Sequence, residues 1–372
     1  MEIKARVKPW GLPGQIASLG SKIPLLGRSL KNYPVWGIPD GLSSDLLHEA
    51  CDRVYQVTPI HVAYQHISEW KSSGAYRLFL NCTDGRGRTL IFKNAEYTDE
   101  TNPALENLPL VPGPPEYSVY SSPPADLSDY LPEVVLSEEV TPETHYRYIL
   151  RDLQPDYEKC FGRNGILRVV AELPTLHRTL RNRWPEPATA DGLLRYDTVS
   201  KRALAHYFEE NLRRYASEAE DDVVADVMSK WSAVKKTYTS EEFFHPEAIG
   251  PVHGDLNLSN VHFQEEDRDA VRFVDWEWAG VHLVHADLAC ILKGADEETE
   301  EEALSLYSRI NGQVSEREHH RLYHWCKMER GLLDASFLSA VELEPDREAT
   351  FDMRGVIHGA AQRVLDALDQ VP

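Results

Sequence analysis

Asp255, Asn260 and Asp275 are the residues of this chain whose types and spacing point most directly to chemistry. Asp255 follows Val252-His253-Gly254, Asn260 lies five residues beyond it, and Asp275 closes the apolar run Val271–Val274. Phosphoryl transfer asks for such a set: a carboxylate to orient the attacking hydroxyl, oxygen ligands for Mg²⁺, and a scaffold that holds them within a few ångströms of one another. Magnesium takes one or two carboxylates, an amide oxygen, waters and substrate phosphate. Gly254 allows a sharp turn beside the first carboxylate. If the two aspartates merely end turns, Asn260 and the second acidic strand end go unexplained.

The segments HGDLNLSN at 253–260, FVDWEWAG at 273–280 and HADLA at 285–289 resemble the aminoglycoside phosphotransferase and choline kinase group, small-molecule kinases with a protein-kinase-like fold. The Asp255-to-Asn260 spacing is that of the protein-kinase catalytic loop. The resemblance runs from roughly Val57 to Leu292 and fades in the C-terminal segment. It implies that Asp255 is the catalytic base and that His253 braces its loop. Asn260 and Asp275 become metal ligands, Glu277 holds waters around the metal, and Asp287 supports the loop from the following helix. The implied cofactors are Mg²⁺ and ATP or GTP, and the implied acceptor is a hydroxyl of a small molecule, with an amine-bearing one such as an aminoglycoside or a choline-like alcohol as the candidate. The implied fold is α+β and two-lobed, with a small antiparallel β N-lobe and a larger, mostly helical C-lobe.

The same resemblance assigns nucleotide contacts upstream. Lys93, in Leu90-Ile-Phe-Lys, stands where the phosphate-gripping strand lysine is expected, although a lysine ending an exposed strand is common. Its ion-pair partner is expected on the next helix. Glu116 is the first candidate, Glu106 and Glu96 are rivals, and a plain helix-start cap is the alternative for Glu116. Ser72, Ser73 and Gly74 form the candidate phosphate-covering loop, which holds one glycine where a Gly-rich loop has several. The connector Tyr148–Leu153, with Leu150 and Asp152, is expected to meet a purine through its backbone unless it is simply a surface strand end.

These residues need particular elements to carry them. Apolar positions at helical spacing predict a helix over Ser44–Gln56, and β-type runs follow at Ile60–Ile67, Ala75–Leu80 and Thr89–Phe92. The Gly-rich stretch 81–88 predicts a hairpin between the last two. Residues 98–115 read as a loop, Glu116–Tyr120 as a short helix, and Glu133–Glu138 and His145–Leu150 as strands. Long helical patterns then cover Gly165–Leu180, Ala190–Tyr215 in pieces, Asp221–Thr239 and most of the chain from Glu300 on, with a β-like block at Pro251–Cys290. The expected division is an N-terminal extension over 1–44, an N-lobe over 45–150, a hinge over 151–155 and a C-lobe over 156–372. The extension is basic and reads as an arm on an acidic body or, alternatively, a targeting peptide.

The chain has 372 residues and a formal net charge of −21. Such acidity repels phosphate backbones and anionic membranes, which argues against nucleic acid as a partner. No apolar run is long enough to span a membrane. Five scattered cysteines without a CxxC pair argue against a disulfide framework and fit the cytoplasm. Two other readings stand beside the kinase. A binuclear metallohydrolase would use the crowded His253, Asp255, His262, Asp275, His282, His285 and Asp287, but it leaves Lys93 and Asn260 idle. A pseudokinase would bind nucleotide without turnover. The acidic run Glu300–Glu302 reads as solvent-facing, and Tyr323, Trp325, Trp276 and Trp278 read either as core or as an aromatic wall for a sugar or a quaternary amine.

Overall fold

The computed structural model describes residues 34–67, 74–96, 114–121, 125–141, 145–153, 162–185, 192–240, 246–264, 270–312, 314–343 and 352–371, together with Leu110, Pro123, Tyr157 and Glu158. Its N-terminal part is an antiparallel sheet. The strands are β1 (Val35–Trp36), β2 (Pro59–His66), β3 (Gly74–Cys82), β4 (Gly87–Glu96), β5 (Val134–Thr141) and β6 (His145–Arg151), in the order β1-β2-β3-β4-β6-β5. The edge strand β1 comes from the segment expected to be an extension, so that segment contributes to the lobe. The predicted hairpin joins β3 to β4. Gly85 supplies its positive φ, and Asp84 accepts from the Arg86 backbone N–H and the Arg88 guanidinium.

Alternation along the strands gives this sheet two different faces. Helix α1 (Ser44–Tyr55) is capped by the Ser43 hydroxyl and lays Leu47, Ala50 and Cys51 over Leu78, Leu80, Leu90, Phe92 and Ile149. Tyr146, Tyr148 and Leu150 alternate with Ile149 and point the other way. There they join Val119 and Tyr120 of α2 (Pro114–Tyr120) in the large core of the second lobe. A short α3 (Ala125–Ser128) follows α2.

The second lobe is mostly helical: α4 (Arg163–Arg183), α5 (Thr198–Ala219), α6 (Asp222–Tyr238), α7 (His285–Ile291), α8 (Glu297–Asn311), α9 (Glu316–Glu342) and α10 (Met353–Leu368). The 190–215 region, expected as broken helix, splits into the two-residue strand β8 (Leu194–Arg195) and the continuous α5. The β-like block resolves into β9 (Ile249–Val252), β10 (Val261–Gln264), β11 (Val271–Phe273) and β12 (Gly280–Leu283). Strand β12 lies between β8 and β9, while β10 lies between β11 and β7 (Tyr157–Glu158). Helix α9 is the spine of the lobe and packs on α5, α7, α8 and α10. Among the described residues, no helix is long and apolar enough to cross a membrane.

Candidate active site

Two chain reversals carry the acidic residues. The first, at 253–260, follows β9 and enters β10. Gly254 has φ +82°, and a Cβ there would lie 2.0 Å from the Trp278 carbonyl oxygen, so only glycine fits the close approach of the two reversals. The second, at 274–279, leaves β11 and enters β12. Because Val261 pairs with Phe273, Asn260 and Asp275 emerge at the same end of the β10–β11 hairpin, and the Val274 N–H donates to the Asn260 carbonyl at 3.0 Å. Asp275 adopts φ +69°, an uncommon conformation for a residue with a side chain.

Buried groups hold the first reversal. The Asp287 carboxylate on α7 accepts from the backbone N–H of His253 at 3.0 Å and of Gly254 at 2.8 Å, and from His177 Nε2 on α4 at 3.0 Å. Burial alone would raise the Asp287 carboxyl, but the His177 and His253 contacts more than offset it and hold it below its ordinary value. His253 Nδ1 accepts from the Asp255 N–H and its Nε2 donates to the Val274 carbonyl at 3.0 Å, which selects one neutral tautomer and ties the two reversals together. Burial also pushes the His253 imidazolium pKa down, in keeping with that neutral form. At Asp255, Oδ1 accepts from Asn257 Nδ2 and from Arg330 Nη2, both at 2.6 Å, while the Asn260 amide donates to the Asp255 carbonyl at 2.9 Å.

Charge holds the second reversal. Lys93 on β4 reaches Glu116 Oε2 of α2 at 2.8 Å, Asp275 Oδ1 at 2.8 Å and Glu277 Oε2 at 3.7 Å. Glu116 is therefore the partner of Lys93, and it is 1% exposed. Burial pushes its carboxyl up against the pull of Lys93, and a backbone bond with Trp276 adds support for the charged form. The alternative of a lysine at the end of an exposed strand does not hold: β4 is an interior strand and the Lys93 side chain is 13% exposed. Three carboxylates thus surround one ammonium. The Glu277 carboxyl is pushed up to about 8, first by burial and then by Asp275.

The remaining sequence expectations divide. Ser72 and Ser73 lie outside the described residues, as does Glu106. Gly74 opens β3, where a Cβ would meet the Asn94 carbonyl at 2.3 Å, so strand packing alone already requires glycine there. Leu150 pairs with Ile91 on one side and Val134 on the other, an interior position of the sheet. The Asp152 carboxylate is buried and taken by Arg77 Nε at 2.8 Å.

Of the two readings of the four aromatic residues, core packing is the one that holds for three. Tyr323, Trp325 and Trp276 are buried in the core, and of the four only Trp278 has substantial exposure. Glu300, expected to face solvent, accepts from Lys327 at 2.7 Å and is 15% exposed. The histidines of the hydrolase alternative have other partners: His282 bonds Glu329 at 2.5 Å and His285 bonds His319 at 2.8 Å. Among the described residues no group of three or more His, Cys, Asp or Glu is arranged to hold a metal ion by itself. Arg330 escaped the sequence reading because it sits amid ordinary amphipathic helix, 70 residues beyond Asn260 and without a motif around it.

The family model described as the phosphotransferase enzyme family matches residues 136–325. No curated protein matches the chain by sequence. Among solved structures, choline kinase LicA from Streptococcus pneumoniae aligns at TM-score 0.53 and 14% identity, covering 88% of this chain and 98% of that one. The amicoumacin kinase hAmiN, in complex with AMP-PNP, Ca²⁺ and Ami, aligns at 0.51 and 14%, covering 89% and 95%. The GDP and kanamycin complex of APH(2")-IIIa aligns at 0.52 and 11%, covering 88% and 99%. At these identities the likeness is one of fold: a β N-lobe joined to a helical C-lobe in the protein-kinase manner.

Proposed function

This chain belongs to the phosphotransferase enzyme family, and we infer that it acts as a small-molecule kinase. On that premise we propose that it moves the γ-phosphoryl group of ATP or GTP onto a hydroxyl of a small molecule, using Mg²⁺. The observation that carries the proposal is the Lys93–Glu116–Asp275 contact set, which joins the N-lobe sheet to the Asp275 reversal beside Asp255. In this reading the lobes divide near 151–155, with β1 added to the N-lobe. The unpaired thiols of Cys51, Cys82, Cys290 and Cys326 agree with a cytoplasmic setting.

Asp255 accepts the proton of the acceptor hydroxyl as that oxygen bonds to the γ-phosphorus and the bond to the nucleotide's bridging oxygen breaks. His253 and Asp287 fix the loop from which Asp255 acts. Lys93 grips the α- and β-phosphates, held in place by Glu116. The residues present fit a hard dication: Asn260 and Asp275 would hold Mg²⁺, with Glu277 orienting its waters, and the charge surplus around Lys93 favours a second cation. Bound there, the metal would neutralise charge on the transferring phosphoryl oxygens.

The acceptor is the finer part of the proposal. An amine-bearing alcohol such as an aminoglycoside or a choline-like compound suits the acidic balance of residues 281–372, 18 Asp and Glu against 9 Lys and Arg. Burial of the three aromatic residues leaves charge, rather than an aromatic cage, as its support. The deciding experiment is a nucleotide-consumption screen against amino sugars, amino alcohols, macrolides and sugars, with mass detection of an added phosphate. Absence of any thermal shift with saturating nucleotide and Mg²⁺ would defeat the reading, because a ligand at 100 times its Kd adds about 2.7 kcal/mol.

A further inference from the structure

Arg330 stands at the centre of α9, five residues past the end of the family match, and no motif of the chain includes it. Its guanidinium spends three different nitrogens on three partners. Nη2 donates to Asp255 Oδ1 at 2.6 Å, Nη1 to the Gly254 carbonyl at 3.1 Å, and Nε to Asp334 Oδ1 at 2.9 Å. A planar fork is required for that pattern, and an ammonium could not make it. Asp334 is itself held by Lys293 at 2.7 Å and Arg363 at 3.3 Å, so the fork is fixed from behind.

The two oxygens of Asp255 consequently differ. Among the described residues, Oδ1 receives two short bonds, from Arg330 and Asn257, whereas Oδ2 receives one long contact, from Asn260 Nδ2 at 3.4 Å. The neighbours of Arg330 fasten the helix that presents it. Glu329 is buried against Lys201 at 2.6 Å and His282 at 2.5 Å, and His282 lies on β12, the strand paired with β9 just before Asp255. Gly331 lets α10 approach, since a Cβ there would lie 2.7 Å from the Val364 side chain.

We propose that Arg330, backed by Asp334, is a positioning residue for phosphoryl transfer: it holds Asp255 by Oδ1 and leaves Oδ2 to receive the acceptor hydroxyl. The inference rests on the kinase reading above. A carboxylate free to rotate would present either oxygen and spend much of its time misaligned, and misplacement by an ångström costs about a hundredfold in rate.

The test uses the full chain with Mg²⁺ and ATP or GTP, water as the acceptor, and nucleoside diphosphate release as the readout. Binding of AMP-PNP is measured beside it by calorimetry. Arg330→Ala is expected to slow release by ~10–10²-fold while AMP-PNP affinity stays within about threefold. Added guanidinium at non-denaturing concentration should restore part of the rate, and Asp334→Asn should show a weaker loss of the same kind. If Arg330→Ala does not fold, Asp334→Asn carries the test on its own. Wild-type release rates in Arg330→Ala or Asp334→Asn would overturn the inference. So would parallel loss of release and AMP-PNP binding without rescue, the mark of a structural residue. A wild-type chain that binds no AMP-PNP would sink the kinase reading itself.

Discussion

The reversals at 253–260 and 274–279 both present an aspartate to the same space, yet they are held by opposite means. Helices α4, α7 and α9 reach the first through His177, Asp287 and Arg330, with bonds to its backbone as well as its side chain. The second is tied to the first at Val274, but its aspartate takes Lys93 from the other lobe and is 40% exposed in a left-handed conformation. The difference suits the roles proposed for the two aspartates: a base must keep its aim whether or not ligand is present, and a rigid frame of neutral and charge-assisted hydrogen bonds does that. A metal ligand must exchange partners as metal and nucleotide arrive, which a more exposed carboxylate paired with a lysine can do.

This contrast is broken most severely at Asp275. Asp275→Asn is expected to abolish turnover and to raise the Mg²⁺ concentration needed for nucleotide binding, read by titrating nucleotide at several Mg²⁺ levels. Unchanged metal dependence would remove Asp275 from the metal site. Asp255→Asn should lower kcat by ~10²–10⁴-fold with nucleotide affinity nearly intact, because it keeps the frame and loses only the proton acceptor. Should it instead lose metal-dependent binding, the two roles are reversed.

Stability sharpens the comparison at Lys93. Lys93→Met leaves Glu116 buried without its cation and is expected to cost about 3–5 kcal/mol in urea denaturation, while Lys93→Met with Glu116→Gln recovers much of it. A single variant as stable as the wild type would show that Glu116 is readily neutralised.

The smallest effect is that of pH on the helical lobe. His324 is pushed down from 6.5 to about 4, by burial and then by Lys327, and burial also lowers His282 and His319. The unfolded chain therefore binds protons that the folded chain refuses, so stability declines as pH falls from 6.5 toward 4. Asp287, with a depressed carboxyl, keeps its contribution down to 3.8 and loses it only below that. Thermal melts from pH 7 to 5 should fall by a few degrees, and His324→Asn should flatten the slope. A flat wild-type profile would contradict the burial of these imidazoles.

Much of the site was legible because its parts are local. His253, Gly254, Asp255 and Asn260 occupy eight consecutive residues, and Asp275 ends an apolar run, so one short loop and one hairpin bring them together. Lys93 was legible from its strand and Glu116 from the helix after it. Alternation in β3, β4 and β6 announced the sheet, and helical spacing announced α1, α4 and α6. The strand β1 was missed because two residues between glycine and proline carry no period. The split of 190–215 was missed because β8 exists only through pairing with β12.

By itself the sequence determined the order of elements, the two acidic reversals and the glycine between them, since each follows from backbone sterics and periodicity within a few residues. Tertiary structure decided the rest. Trp276, Trp325 and Tyr323 became core, because a side chain is buried only by what packs over it. Asp152 went to Arg77, and Glu300 to Lys327, because ion pairs form between neighbours in space. The hold of Arg330 on Asp255 joins positions 75 residues apart. Its reason is geometric: α9 passes behind the reversal at 253–260, and no pattern along the chain records where one helix crosses another.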